Sequence, residues 1–218
     1  MGSMLGPAAV FPIVQGEPYI ATVRMQRTEV RTGARVMHES LNVRMRDSAG
    51  RIRDEQLASP PDAIAGFIQE WVHVLDPLVM RDTQWDEHRK TATAANIPAA
   101  LTQHRSISGC SELEALASGE GDEDQLTYEE LGRRDMEGTA VVGCRFTRLF
   151  MSKRSSFQGR RSVTEMWSSP ELQLVLLTAT IQPDGTEEVL KVSDLQRVEP
   201  DPALFRVPPS YKDLTKAP

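Results

Sequence analysis

Two segments of alternating apolar and polar residues meet at a short polar turn near the start of this chain, and they constrain its fold more than any other feature. The turn is Asp47-Ser48-Ala49-Gly50. It has a side-chain acceptor at its first position and glycine at its last, as type I turns and short hairpin loops prefer. Before it, residues 37–46 alternate with a period of two, which is typical of a half-buried strand. The chain therefore opens with antiparallel strands.

Extended segments separated by turn residues recur along the rest of the chain. An earlier extended segment begins at Tyr19 and is separated from residues 37–46 by Arg31-Thr32-Gly33. Further extended segments are predicted at residues 71–75, 79–85, 89–93, 128–133, 139–150, 163–167, 172–181 and 187–195. About ten strands, with one or two short helical turns at residues 62–68 and 111–117, predict a mainly β fold with a minor α component. We expect a single large curved antiparallel sheet or a half-open β-barrel.

The 218 residues, 39% hydrophobic and 26% charged, describe a globular protein of one large domain or two small ones, and the chain is long enough for a single β-rich domain. We expect this domain to cover residues 19–211, between an N-terminal tail at 1–18 and a C-terminal tail at 212–218. Residues 95–125 lack periodicity and gather Ser, Gly, Ala and acids, which predicts a mobile connection. The first four residues look like the remnant of an expression tag, so we expect a native signal peptide to have been removed. No apolar run approaches the ~18 residues of a membrane span.

Several short motifs follow one another along the chain. They are Arg46-Asp47-Ser48-x-Gly50-Arg51-x-Arg53, Leu75-Asp76-Pro77, Glu130-Leu131-Gly132 with Glu137-Gly138, Trp167-x-Ser169-Pro170-Glu171-Leu172, and Glu199-Pro200-Asp201-Pro202-x-Leu204-Phe205-x-Val207-Pro208. In this order they resemble a family of uncharacterised extracytoplasmic bacterial proteins common in acidobacteria. The ending Phe205-Arg206-Val207-Pro208-Pro209 also resembles the end of the LolA-like lipoprotein-carrier fold, which the anti-sigma regulator RseB shares. These resemblances imply a LolA-like fold and a periplasmic or otherwise extracytoplasmic location.

Two functions from different classes remain open. The first is a non-enzymatic binding or carrier protein that holds an apolar ligand, a lipid or a lipoprotein acyl chain, on the concave face of the sheet. Its predicted pocket-lining residues are Met25, Leu41, Val43, Met45, Trp71, Trp85, Trp167, Leu174 and Leu176. The alternative is a cell-envelope sensor or protein-interaction module without a small-molecule ligand. An open cavity would favour the first function, and a filled core the second.

Positive charge is concentrated in one stretch although the net charge is −6. Residues 139–164 contain six Arg or Lys residues and no acid. Within them, a predicted loop offers five candidates for contact with an anionic lipid surface or a protein partner: Lys153, Arg154, Phe157, Arg160 and Arg161. Phe157 is expected to be exposed. A solvated loop, neutralised by the chain's own acidic residues, is the favoured interpretation. Nucleic-acid binding is not expected, because the chain is acidic and offers no aromatic platform.

No residue pattern predicts catalysis, a metal or a cofactor. The chain lacks HExxH, GxSxG, phosphate-binding and dinucleotide-binding motifs. Its four histidines are scattered: His38, His73, His88 and His104. The sequence therefore predicts a protein that is not an enzyme.

The two cysteines, Cys110 and Cys144, match no metal-ligand spacing. In an oxidising compartment they are able to form a disulfide. The favoured alternative is two free thiols, with Cys144 packed inside a strand.

Overall fold

The computed structural model describes residues 14–58, 68–97, 109–110, 124–152 and 156–215 of the chain. The helical turn predicted at 111–117, most of the one at 62–68 and most of the connection at 95–125 lie outside these residues. A 3-10 helix, Pro202–Phe205, lies between the last two strands. The strands are β1 (Tyr19–Arg31), β2 (Ala34–Arg46), β3 (Ile52–Ala58), β4 (Ile68–Asp76), β5 (Arg81–Asp86), β6 (Thr91–Asn96), β7 (Gln125–Met136), β8 (Thr139–Leu149), β9 (Arg161–Ser169), β10 (Leu174–Ile181), β11 (Glu187–Gln196) and β12 (Lys212–Asp213).

All twelve strands belong to one sheet, whose hydrogen-bonded order is β12-β6-β5-β4-β3-β2-β1-β11-β10-β9-β8-β7. The strands from β2 to β6 pair antiparallel, as do those from β7 to β11, whereas β12 pairs with β6 in parallel. The predicted mainly β fold on a single large antiparallel sheet is confirmed. Strand β12 falls within the segment predicted to be a C-terminal tail, because two residues are too few to produce a pattern of alternation.

Two tight hairpin turns contain residues with positive φ. Thr32 and Gly33, between β1 and β2, have φ values of 50° and 82°. Glu137 and Gly138, between β7 and β8, have φ values of 50° and 70°. Two consecutive positive φ values are characteristic of type I′ turns, whose twist matches that of paired strands. These turns were predicted from the same residues.

The chain divides into two compact units. The first contains residues 1–22, 41–105 and 194–218, and the second contains residues 23–40 and 106–193. The division falls within β1, β2 and β11. Each unit has a buried cluster of its own.

The core of the first unit lies on one face of its strands and includes a side chain from the C-terminal segment. Val72 on β4 lies opposite Trp85 on β5, and Trp85 lies opposite Ala92 on β6, so their side chains share a face. Phe205 of the 3-10 helix belongs to the same cluster. Its buried members are Met45, Val72, Val74, Trp85, Ala92 and Phe205.

The polar turn between β2 and β3 is held together by its own residues. Asp47 is buried, and its carboxylate accepts hydrogen bonds from the backbone N–H of Arg51 at 2.8 Å and from Arg51 Nε at 2.6 Å. Gly50 has a φ of 87°, and a Cβ atom there would lie 2.8 Å from the carbonyl oxygen of Val14. The turn therefore requires an acid at its first position and glycine at its last.

The arginines of this motif also connect the turn to the C-terminal segment. Arg53 donates a hydrogen bond to the carbonyl oxygen of Leu204. The Arg51 guanidinium lies 4.8 Å from the ring centroid of Phe205. Glu199 accepts a hydrogen bond at 3.1 Å from a backbone N–H of the turn. Two of the motifs singled out in the sequence thus contact each other, and their role in this unit is structural.

The strands β7 to β10 of the second unit carry different chemistry on their two faces. On one face Trp167 lies across Gly143, where a Cβ atom would be 2.6 Å from the indole ring. On the other face Cys144 lies opposite Met166 and packs in a buried cluster with Phe146. Trp167 packs closely against the backbone on the first face. The cluster of Cys144 and Phe146 lies on the second face.

Candidate functional site

A pocket of about 270 Å³ lies on the second face of strands β7 to β10. Strand pairing explains why its residues meet there. Arg148 on β8 lies opposite Leu126 on β7 and Ser162 on β9. Because directly opposite residues of antiparallel strands share a face, the three side chains point to the same side of the sheet. The full lining is Leu126, Phe146, Arg148, Phe150, Ser162, Thr164, Met166, Thr180 and Gln182.

The pocket combines apolar walls with a few polar groups. Two phenylalanines, a leucine and a methionine provide the apolar part. Thr164 Oγ1 and Thr180 Oγ1 form a hydrogen bond of 3.0 Å across β9 and β10. Arg148 adds a guanidinium group to the lining. Apolar walls with a small number of placed polar groups are the usual composition of a small-molecule site.

A disulfide between Cys110 and Cys144 adjoins the pocket. Of the two alternatives that the sequence left open, the structure contains the bonded form, and the favoured interpretation of two free thiols is wrong. Both cysteines are buried in a cluster with Phe146, against which Leu126 and Met166 pack. Those three residues also line the pocket, so the disulfide supports one of its walls.

None of the nine pocket residues predicted from the sequence lines this pocket. Met45 and Trp85 lie in the buried core of the first unit, with Val43 packed against it. Met25 and Trp71 are 47% and 44% exposed. The remaining four are buried away from the pocket lining: Leu41, Trp167, Leu174 and Leu176. Alternation identifies residues that face inward, but it does not distinguish a filled interior from an open one.

The predicted basic loop joins β8 to β9, and Lys153 and Arg154 lie outside the described residues. Arg160 and Arg161 are exposed. Phe157, expected to be exposed, is half-buried, because its ring packs against Phe150 with a centroid distance of 5.8 Å. Since Phe150 lines the pocket, this loop borders the pocket through an aromatic contact.

The described residues contain no group of three or more His, Cys, Asp or Glu side chains able to hold a metal ion. His104 lies outside the described residues. His73 forms a half-buried pair with Asp82 on the neighbouring strand, at 2.6 Å from Nε2 to Oδ1.

Within the described part of the chain, no helix is long and apolar enough to cross a membrane.

Among known proteins, this chain is similar to solved structures in its fold, but no sequence match was found. No protein-family model and no curated protein sequence matches, so the resemblance to the acidobacterial family stays a prediction. The lipoprotein LppX of Mycobacterium tuberculosis has 9% identity and a TM-score of 0.36, covering 82% of this chain and 87% of LppX.

A LolA superfamily protein from Nitrosomonas europaea also has 9% identity and a TM-score of 0.36, covering 91% of this chain and 94% of its own. A DUF1329 family protein from Desulfovibrio piger has 12% identity and a TM-score of 0.29, covering 87% and 90%. Because these TM-scores are all below 0.4, the function proposed for this chain rests on its own residues.

Proposed function

We propose that this protein is a non-enzymatic extracytoplasmic binding or carrier protein that holds the apolar chain of a lipid or lipoprotein. The observation that carries the proposal is the pocket of about 270 Å³ between β7 and β10. This volume is close to the lower end of the range for small-molecule sites, and it suits one acyl chain rather than a complete multi-chain lipid. An open pocket favours a carrier over an interaction module without a ligand.

The polar groups of the pocket indicate which kind of headgroup the ligand would carry. Arg148 supplies a positive charge. Ser162 and Gln182 add hydrogen-bonding groups to the same lining. A ligand with an apolar chain and an acidic headgroup would match both the walls and the charge. The guanidinium would bind the carboxylate or phosphate through charge-assisted hydrogen bonds.

The disulfide supports an extracytoplasmic location. Cys110 and Cys144 are joined in the structure, and such bonds form and persist mainly in oxidising compartments. A carrier in the cell envelope would also have access to lipids and lipoproteins. Location and ligand class are therefore consistent with one another.

Fatty-acid binding to the purified protein tests the proposal. A fluorescent fatty acid should bind and should be displaced by unlabelled fatty acids. Affinity should rise with chain length until the pocket is full, because each buried methylene contributes about 0.8 kcal/mol. The corresponding methyl esters should displace the probe less well, because they offer Arg148 no charge. Native mass spectrometry of freshly purified protein should detect a retained lipid.

Two tryptophan variants locate the binding site. Thr180→Trp places an indole in the pocket and should abolish binding of the probe. Ile181→Trp, at the next position on the opposite face, is a matched control, because Ile181 is 55% exposed and does not line the pocket. Equal binding by the two variants, or no binding by the wild type, would contradict the proposal.

A further inference from the structure

Strand β7 is at one end of the sheet order, and among the described strands it is hydrogen-bonded to β8 alone. It has twelve residues, and most of its side chains are exposed. Long edge strands present backbone N–H and C=O groups on which another strand can pair. The side chains of β7 determine which strand would fit there.

The centre of β7 has a charge order that is complementary to itself. Glu129 and Glu130 precede Leu131-Gly132, and Arg133 and Arg134 follow. Consider a second copy of β7 running antiparallel, with the two-fold axis between Leu131 and Gly132. Each Glu130 then lies opposite Arg133 of the other copy, and each Glu129 lies opposite Arg134. Opposite charges face each other in four cross-strand pairs.

A β-bulge in β7 makes this pairing geometrically consistent. In an uninterrupted strand, Glu130 and Arg133 would point to opposite faces, because they are three residues apart. The pairing with β8 shifts register between Glu130, which lies opposite Cys144, and Gly132. Arg133 then lies opposite Val142. Since residues 142 and 144 of β8 share a face, so do Glu130 and Arg133.

The outer pair follows the same rule on the other face. Glu129 lies opposite Arg145 and Arg134 opposite Val141, so both project from the face that carries Trp167. A two-fold axis perpendicular to a sheet keeps each face of one copy continuous with the same face of the other. Every glutamate would therefore meet its arginine on one face. Without the extra residue, this register would place the partners on opposite faces.

We propose that two copies of this chain associate through the outer edges of their β7 strands, in an antiparallel register centred between Leu131 and Gly132. The inner pairs, Glu130 with Arg133, are best suited to a test. Glu129 already forms an ion pair with Arg145 at 3.0 Å, and the Arg134 guanidinium lies 3.6 Å from the ring centroid of Trp167. Glu130 and Arg133 are both exposed, so reversing their charges leaves those two contacts intact.

Sedimentation equilibrium over a concentration series at low ionic strength tests the association. The wild type should form a dimer that weakens as salt is added. E130R and R133E should each weaken dimerisation by about tenfold or more, because each places like charges opposite one another twice. An equimolar mixture of the two variants should form a heterodimer, and the double variant E130R/R133E should restore the homodimer.

E171R is the matched control, because it makes the same change of charge in the exposed turn between β9 and β10. It should dimerise as the wild type does. Circular dichroism and thermal melting should show that all the variants are folded. A monomeric wild type at the highest concentration would overturn the proposal. A dimer that is insensitive to E130R and R133E would overturn it as well, since its interface would lie elsewhere.

Discussion

At the scale of single residues, Gly143 has little freedom to change. Its neighbour across the strand pair, Trp167, is buried and lies flat over the glycine backbone. Glu165 accepts a hydrogen bond from the indole N–H at 2.7 Å, and the Arg134 guanidinium covers the ring at 3.6 Å from its centroid. A large aromatic side chain is thus held on three sides, and it fits only where the facing residue has no side chain.

Gly143→Ala should lower the free energy of unfolding by about 1–3 kcal/mol, the usual range for an overpacked site. The added Cβ atom would lie 2.6 Å from the Trp167 ring, so the indole or the backbone must move. Urea denaturation of the purified variant measures the change.

Trp167→Ala provides the control for this prediction. In that background the Gly143→Ala substitution should be almost neutral, because the ring that it contacts is absent. A double-mutant cycle gives the coupling between the two positions. If Gly143→Ala costs the same with and without the indole, the strain does not come from Trp167.

At the scale of elements, the C-terminal segment is attached to the turn between β5 and β6 through a polar cluster. The Tyr211 hydroxyl donates a hydrogen bond to Glu87, and Lys90 Nζ lies 3.0 Å from both the Glu87 carboxylate and the Tyr211 hydroxyl oxygen. Burial alone would raise the pKa of Glu87, but the hydrogen bonds from Tyr211 and Lys90 outweigh it and lower the pKa. The cluster therefore favours the ionised carboxylate and holds the residues that lead into β12.

Tyr211→Phe should lower the free energy of unfolding by roughly 1–2 kcal/mol near neutral pH, because one hydrogen bond to a charged group is lost. A carboxylate with a depressed pKa contributes stability above its unfolded pKa of about 4.3, and this stability is lost as pH falls through the folded pKa. The difference between wild type and variant should therefore shrink below about pH 4.

Thermal melts of wild type and Tyr211→Phe from pH 3 to pH 8 measure this dependence. Tyr128→Phe is a matched control, because Tyr128 is 45% exposed on β7 and lies outside the cluster. Its melting temperature should follow that of the wild type at every pH. A difference between wild type and Tyr211→Phe that stays constant down to pH 3 would contradict the role of Glu87.

At the scale of the whole molecule, the disulfide is the covalent constraint on the second unit. Cys110 and Cys144 are 34 residues apart in sequence. Closing a loop of that length lowers the entropy of the unfolded chain, and loop-entropy estimates give about 4 kcal/mol of stabilisation. Because the bonded cysteines pack with Phe146 beside the pocket, we expect the bond to influence both the stability of the unit and the shape of the pocket.

Reduction of the disulfide should lower the melting temperature by several degrees and weaken fatty-acid binding. Thiol titration in denaturant should find no free thiol before reduction and two after it, in line with the structure. The Cys110→Ala/Cys144→Ala variant is the control, since it should resemble the reduced protein and should not respond to reductant. An unchanged melting temperature after complete reduction would show that the bond contributes no stability.

Alternation and turn chemistry were enough to predict the fold class and most of the strands. The period-two pattern before Asp47 predicted β2, and the Glu137-Gly138 pair predicted the turn between β7 and β8. The pocket was not predicted, because Ser162, Thr164 and Thr180 are polar and do not resemble a wall for an apolar ligand. Their position on one face of the sheet depends on register between strands, which one chain's hydrophobic pattern does not give.

Trp85 illustrates a second limit of the sequence. Its size and its place in a strand suggested a pocket wall, and the structure places it in the buried core of the first unit, where it is 1% exposed. Whether a large apolar side chain borders a void depends on what packs against it. For Trp85, part of that packing comes from Phe205, 120 positions further along the chain. A contact of that range leaves no signal near Trp85 itself.

The contribution of Phe205 to the core of the first unit also affects the order in which the protein can fold. The ribosome delivers residues 41–105 before residues 194–218, yet both segments belong to this unit. Arg51 and Arg53 leave the ribosome well before Phe205 and Leu204, the residues that they contact. The packing of these strands is therefore completed by residues that are synthesised much later than the strands themselves.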